Sequence, residues 1–180
     1  MAKKISFGLS VAEVNKAIQE IKTYQNELNR KCELLCQRLC QEGVQVAKAH
    51  IGSSGFGKYI HLDSEITLQQ SGCKAIFYME DTAKIKSEWQ TKEGGKSAEI
   101  SPSLMIEFGS GQKAENPANI AGVGTGTFPN GKHGNEPGWY YMDLDGVWHY
   151  STGISPKMPM YYAGKELREK ILAIAKEIFS

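Results

Sequence analysis

The sequence predicts an α+β fold in which an antiparallel sheet packs against a long N-terminal helical segment and a C-terminal helix. Three observations predict it. Apolar residues recur at helical spacing from Ser10 to about Ala49. Two alternating runs, Tyr59–Gln69 and Lys74–Glu80, flank a natural turn at Ser71-Gly72. A second amphipathic stretch closes the chain, from about Met160 to Phe179. Helices and strands come in blocks, which argues against a parallel βαβ sheet.

Lys4-Ile-Ser-Phe7 reads as a short opening strand. Ser10-Val-Ala-Glu13 is a capping box, with hydroxyl and carboxylate placed to satisfy orphan amides. Val11, Val14, Ile18 and Ile21 begin an apolar stripe that Leu28, Cys32, Leu35, Cys36, Leu39 and Cys40 continue. A straight helix of that length runs about 60 Å. Such a rod is wide for a chain of this size, so a break is expected near Thr23–Asn26, where the stripe thins, and strain at Gly43. Gly52-Ser-Ser-Gly-Phe-Gly57 is a flexible loop. Residues 81–97 are charged and polar around Trp89 and show no readable period. Leu104–Phe108 is an apolar strand or a turn of helix, stopped by Gly109-Ser-Gly111.

Residues 109–137 are rich in Gly, Asn and Pro without period, the mark of a functional loop or a mobile one. An aromatic hairpin follows over Gly138–Gly153, turning at Asp145-Gly146. It holds Trp139, Tyr140, Tyr141, Trp148 and Tyr150. Ser155-Pro-Lys-Met-Pro159 then breaks the chain before the last helix. The whole reads as one domain, 1–180, with a loop insertion at about 109–137.

Net charge is +1 over 180 residues, so no overall field draws the chain to nucleic acid or to a membrane. No 18-residue apolar run is present, and no apolar signal core follows Met1-Ala-Lys-Lys, so a cytosolic protein is expected. Cys32, Cys36 and Cys40 lie four apart along one side of the first helix. Their spacing matches no standard zinc or iron–sulfur motif, and a buried stripe is the favoured reading over a metal site that also used Cys73.

Gly126-Thr-Phe-Pro-Asn-Gly-Lys132 has the front of a phosphate-binding loop. It is followed by His133 where Ser or Thr is needed, and by Pro137 where a helix should begin. Asp143 and Asp145 are accounted for as turn formers, and Glu136 adds no cation-site spacing. His50, His61, His133 and His149 form no i, i+4 ligand pair. No nucleophile elbow is present. The expectation is a non-enzyme with no catalytic, cofactor-binding or metal residues and no cofactor.

Ile106-Glu-Phe-Gly-Ser-Gly111, the Gly/Pro-rich insertion, Gly138-Trp-Tyr-Tyr, Trp148 and Thr152-Gly-Ile-Ser-Pro-Lys-Met-Pro-Met-Tyr-Tyr-Ala163 occur in an order that resembles the minor tail component family of long-tailed bacteriophages and prophages. Pro159-Met160 stands where that family often has Pro-Phe. The resemblance implies a virion protein: a tail-completion, tail-terminator or head–tail joining subunit at the neck, assembled in the bacterial host cytoplasm. It implies a homo-oligomeric ring, typically a hexamer, meeting the major tail tube protein and the head connector or stopper protein. Genomic DNA would pass through the ring without sequence-specific contact, and no membrane is involved. The alternatives are a cysteine-based metal-binding module and an aromatic-faced ligand-binding module.

Overall fold

The computed structural model describes residues 8–69, 72–113 and 138–180. The expected opening strand at Lys4–Phe7, the turn residues 70–71, the phosphate-loop look-alike and most of the Gly/Pro-rich insertion lie outside these residues.

Helix α1 spans Val11–Ile51. Ser10 caps it: its Oγ accepts the Glu13 N–H at 3.3 Å and donates its hydroxyl to Glu13 Oε2 at 2.6 Å. The break expected at Thr23–Asn26 does not occur, and α1 runs 41 residues without interruption. Sharp kinks need Pro, Gly pairs or an inserted group, and none of these residue types lies between Val11 and Glu42. Size does not forbid the rod, because α3 stops beside Lys31 and Val11, Ile18, Ile21 and Leu28 of the N-terminal half stay exposed. The strain expected at Gly43 is likewise a packing solution. Gly43 is buried, and a Cβ there would stand 3.1 Å from Leu167 Cδ1 and 3.2 Å from Phe77 Cδ1. Its missing side chain lets a helix and a strand close on α1 at one level.

Strands β1 (Ile60–Gln69) and β2 (Gly72–Asp81) form an antiparallel hairpin, with Ile60 opposite Asp81 and Gln69 opposite Gly72. Alternation puts Leu62, Ser64 and Ile66 of β1 on its more buried side, and Cys73, Ala75 and Phe77 of β2. This face packs on the C-terminal half of α1. Residues 81–97, unreadable in the sequence, supply a second hairpin: β3 (Ile85–Thr91) and β4 (Gly94–Ile100). Its outward positions carry Lys86 and Glu88 on β3 and its inward ones Ile85 and Ser87, so too few apolar residues alternate to mark it. Strands β5 (Trp139–Met142) and β6 (Trp148–Ser151) join through β3, giving a four-stranded sheet in the order β4-β3-β5-β6. The described strands thus form two separate antiparallel sheets.

Leu104–Phe108 resolves as helix. Helix α2 spans Pro102–Phe108, with Ser101 Oγ accepting the Leu104 N–H at 3.3 Å and Pro102 in the first turn. Asp81, at the end of β2, accepts the Ser103 N–H at 2.7 Å and the Ser101 hydroxyl at 2.5 Å, and pairs with Lys84. Burial pushes its carboxyl up, but these bonds together outweigh it and hold the pKa below the ordinary value.

Helix α3 (Pro159–Phe179) lies antiparallel on α1. His50 stacks on Tyr162 at 4.4 Å, Lys170 meets Glu42 at 2.9 Å, Arg38 meets Glu177 at 3.1 Å, and the chain ends where Lys31 reaches the Ser180 carbonyl. The core sits at the other end of α1: Ile51, Phe56, Tyr59, Ile85, Ile100, Met105, Ile106 and Trp139 form one buried cluster.

Candidate functional site

The two segments that stood out in the C-terminal sequence meet in space. Ile106–Gly111 closes α2, and Gly153–Met158 runs back along it before α3 starts. The Ser110 N–H donates to the Ile154 carbonyl at 2.9 Å, and Ser110 Oγ accepts the Ile154 N–H at 3.2 Å. The Lys157 N–H donates to the Ile106 carbonyl at 2.7 Å. Glu107, itself buried, reaches the first turn of α3 and accepts the N–H groups of Met160 and Tyr161, each at 3.0 Å. Those are orphan amides of a helix whose preceding residue, Met158, offers no side-chain cap. One helix therefore caps another through a carboxylate. Burial pushes the Glu107 carboxyl up, against the pull of the two amides and of His50, and its pKa lies above the ordinary value.

Two glycines make the approach possible. Gly109 has φ 77 and ψ −179, a conformation reserved for glycine, and a Cβ on it would lie 2.7 Å from the Ile154 carbonyl oxygen. Gly153, at φ 104, faces the Ser110 carbonyl in the same way. Met158 is fully buried and left-handed at φ 49, ψ 46, an uncommon state for a residue with a Cβ. Beside this junction lies an open hollow of about 640 Å³, lined in part by His50, Phe56, Tyr141, Lys113 and Lys157.

The aromatic hairpin forms where the sequence placed it. Its turn is Asp143–Gly146, closed by the Gly146 N–H on the Asp143 carbonyl at 3.1 Å, with Gly146 at φ 78. Asp143 Oδ1 accepts the N–H groups of Asp145 (3.0 Å) and Val147 (2.9 Å), while Oδ2 meets His149 Nε2 at 2.8 Å. The His149 bond, then the backbone bonds, hold the Asp143 pKa below its ordinary value. Asp143 is thus a turn residue, as its type predicts. The rings divide between two faces. Trp139 is buried, and Tyr141 packs on Phe56 at 5.1 Å and on Trp139 at 5.5 Å. Tyr140, Trp148 and Tyr150 face out; the Tyr140 and Tyr150 rings lie 5.1 Å apart, and Lys86 Nζ sits 5.5 Å above Trp148.

The four cysteines are free thiols, and Cys36 of α1 meets Cys73 of β2. Phe77 packs at Gly43, and Cys73 shares its face of β2, one helical stretch back along α1 toward Cys36. The Cys36 thiol is pushed up to about 12, first by burial and then by its hydrogen bond to Cys73 and the neighbouring sulfurs. Among the described residues no three His, Cys, Asp or Glu side chains converge as a metal site. At pH 8 Cys36 is almost wholly the neutral thiol, which does not act as a nucleophile. Iodoacetamide at that pH is therefore expected to leave Cys36 unmodified in the native protein and to label it once the chain is unfolded. Mass spectrometry of the Cys36 peptide checks this, and rapid native labelling contradicts it.

His61 lies 3.6 Å from Asp63 on the exposed side of β1, in a different sheet from His149. Glu136 and His133 lie outside the described residues. No helix among the described residues is long and apolar enough to cross a membrane.

No family model matches this chain, and no curated protein or solved structure matches it.

The sequence offered no site residues, and the junction was visible only as two separate landmarks. Glycines at 109 and 153 and the buried Glu107 are its makers. The signal available beforehand was a glycine in each segment, which marks close backbone approach.

Proposed function

We propose that this chain is a structural subunit that acts by self-assembly, of the tail-completion or head–tail joining class of long-tailed phages. The observation that carries the reading is the order and spacing of Ile106–Gly111, Gly138–Tyr141 and Thr152–Ala163, which resemble that family. The interlocking of the first and last of these segments gives a physical reason for their joint occurrence. A subunit of a ring between tail tube and head connector needs rigid attachment of its helices and outward apolar area for its neighbours. The junction supplies the first, and Tyr140, Trp148 and Tyr150 supply the second. The same exposed rings favour a second reading, an aromatic-faced ligand-binding module.

Deleting this gene from a phage or prophage that carries it tests the proposal. Headless tails of irregular length, or heads lacking tails, are expected in negative stain. Normal, head-joined tails in the deletion overturn it.

A further inference from the structure

Over its C-terminal half α1 has a helix partner, and over its N-terminal half the same stripe continues with no helix partner among the described residues. The contacts with α3 fix which stripe this is. Lys31, Arg38, Glu42, Gly43 and His50 all meet α3, so α3 lies over the seam that carries Leu35 and Leu39. Stepping that seam toward the N-terminus by alternating threes and fours gives Cys32, Leu28, Gln25, Ile21, Ile18, Val14 and Val11. This is a strict heptad spacing, the pattern of helices that pair along their length. Helix α3 stops beside Lys31, which leaves about 30 Å of α1 beyond it. There Val11, Ile18, Ile21 and Leu28 remain 39–78% exposed, and Leu9 at the tip is 97% exposed. Ala17, on one flank, is already buried.

The geometry points to a second copy of this chain as the occupant, seated antiparallel so that the N-terminal halves of two α1 helices pair with each other. The stripe is self-complementary in that direction. Val11 comes opposite the mate's Leu28, Val14 opposite its Gln25, and Ile18 opposite its Ile21. Each layer occurs twice about a two-fold axis, the isologous arrangement. In this register Leu9 of each arm reaches the level of the mate's Lys31, where α3 ends. Each arm thus continues the line of the other subunit's α3, in the same antiparallel sense in which α3 lies on α1. Gln25 is the single polar residue at a central position, the kind that fixes register at some cost in stability. The pairing does not depend on the tail reading, because it rests on α1 alone.

The test uses the purified full-length chain and its mass in solution by light scattering at micromolar concentration. Ile18→Glu and Ile21→Lys, made separately, are each expected to halve the wild-type mass. That ratio holds for a simple dimer and for two rings joined through their arms. Because residue 18 faces residue 21 of the mate, mixing the two variants sets glutamate against lysine and leaves the other Ile18–Ile21 layer intact. The mixture is expected to recover the wild-type mass, and lysine at both positions is not. Circular dichroism with wild-type helical content shows that the variants are folded. A wild-type monomer, variants of unchanged mass, or a mixture that stays at half mass each overturn the antiparallel pairing. A chain that pairs in this way but whose gene is dispensable for joined tails would refute the proposed function and leave the pairing standing.

Discussion

Replacing Glu107 by alanine is expected to cost about 3–5 kcal/mol, lowering the melting temperature by about 10 °C. The carboxylate is the acceptor for the Met160 and Tyr161 amides at the start of α3. Removing it strands two donors at a buried helix end, and an unmet buried donor costs about 1–3 kcal/mol. Glu107→Gln should cost less, because it keeps one acceptor oxygen and has no charge to desolvate. The two variants separate hydrogen bonding from charge through their pH dependence. The folded Glu107 pKa is raised by burial, so the folded state holds the proton more tightly than the unfolded chain does. Its contribution is therefore fully present below the unfolded value and is lost as pH rises through the folded value. The deficit of Glu107→Gln relative to wild type should accordingly shrink as pH is raised from the acid range to neutrality. Thermal melts of all three proteins across that range check this. A deficit that grows with pH, or equal losses for alanine and glutamine, would be inconsistent with a buried carboxylate cap.

Gly109→Ala is the second large effect, again about 3–5 kcal/mol. The backbone at φ 77, ψ −179 costs a residue with a Cβ about 1–3 kcal/mol. The added methyl then lies 2.7 Å from the Ile154 oxygen and 2.9 Å from Pro156 Cδ, both on a strap that is itself hydrogen-bonded to α2. Such overpacking adds about 1–3 kcal/mol. Gly146→Ala is the control. It has a similar φ of 78 but nothing within 4 Å, so only the backbone cost of roughly 1 kcal/mol remains. Denaturant unfolding of the two variants measures the difference, and equal losses would mean that the strap does not press on α2.

What could be read beforehand follows from how far each feature is encoded locally. Helix α1, the β1–β2 and β5–β6 hairpins and α3 carry their own periods, caps and turns, and were legible. Strands β3 and β4 were not, because Lys86 and Glu88 face outward while Ser87 takes an inward place, which leaves Ile85, Trp89, Ala98 and Ile100 as scattered apolar marks. The absence of a break in α1 was hidden for another reason. Expecting the helix to fit inside the body assumes that every turn of it is packed, and the exposed half breaks that assumption. Gly43 illustrates the same limit: a glycine in a helix signals weakness until Phe77 and Leu167 are seen to close upon it. The junction was illegible because its partners are distant in the chain, and nothing in either segment names the other.

That distance bears on the order in which the molecule can fold. The bonds that tie Ser110 to Ile154, and Glu107 to Met160 and Tyr161, span 44, 53 and 54 residues. Closing so wide a loop is an entropic cost met once, and it grows by only about 0.6 kcal/mol for each doubling of loop length. During synthesis, α1 and the first hairpin emerge with all their local contacts available. Helix α2 waits with its carboxylate uncommitted until the last quarter of the chain arrives. The joining of Ile154, Met160 and Tyr161 to Ser110 and Glu107 is thus the step that ties α2 to α3.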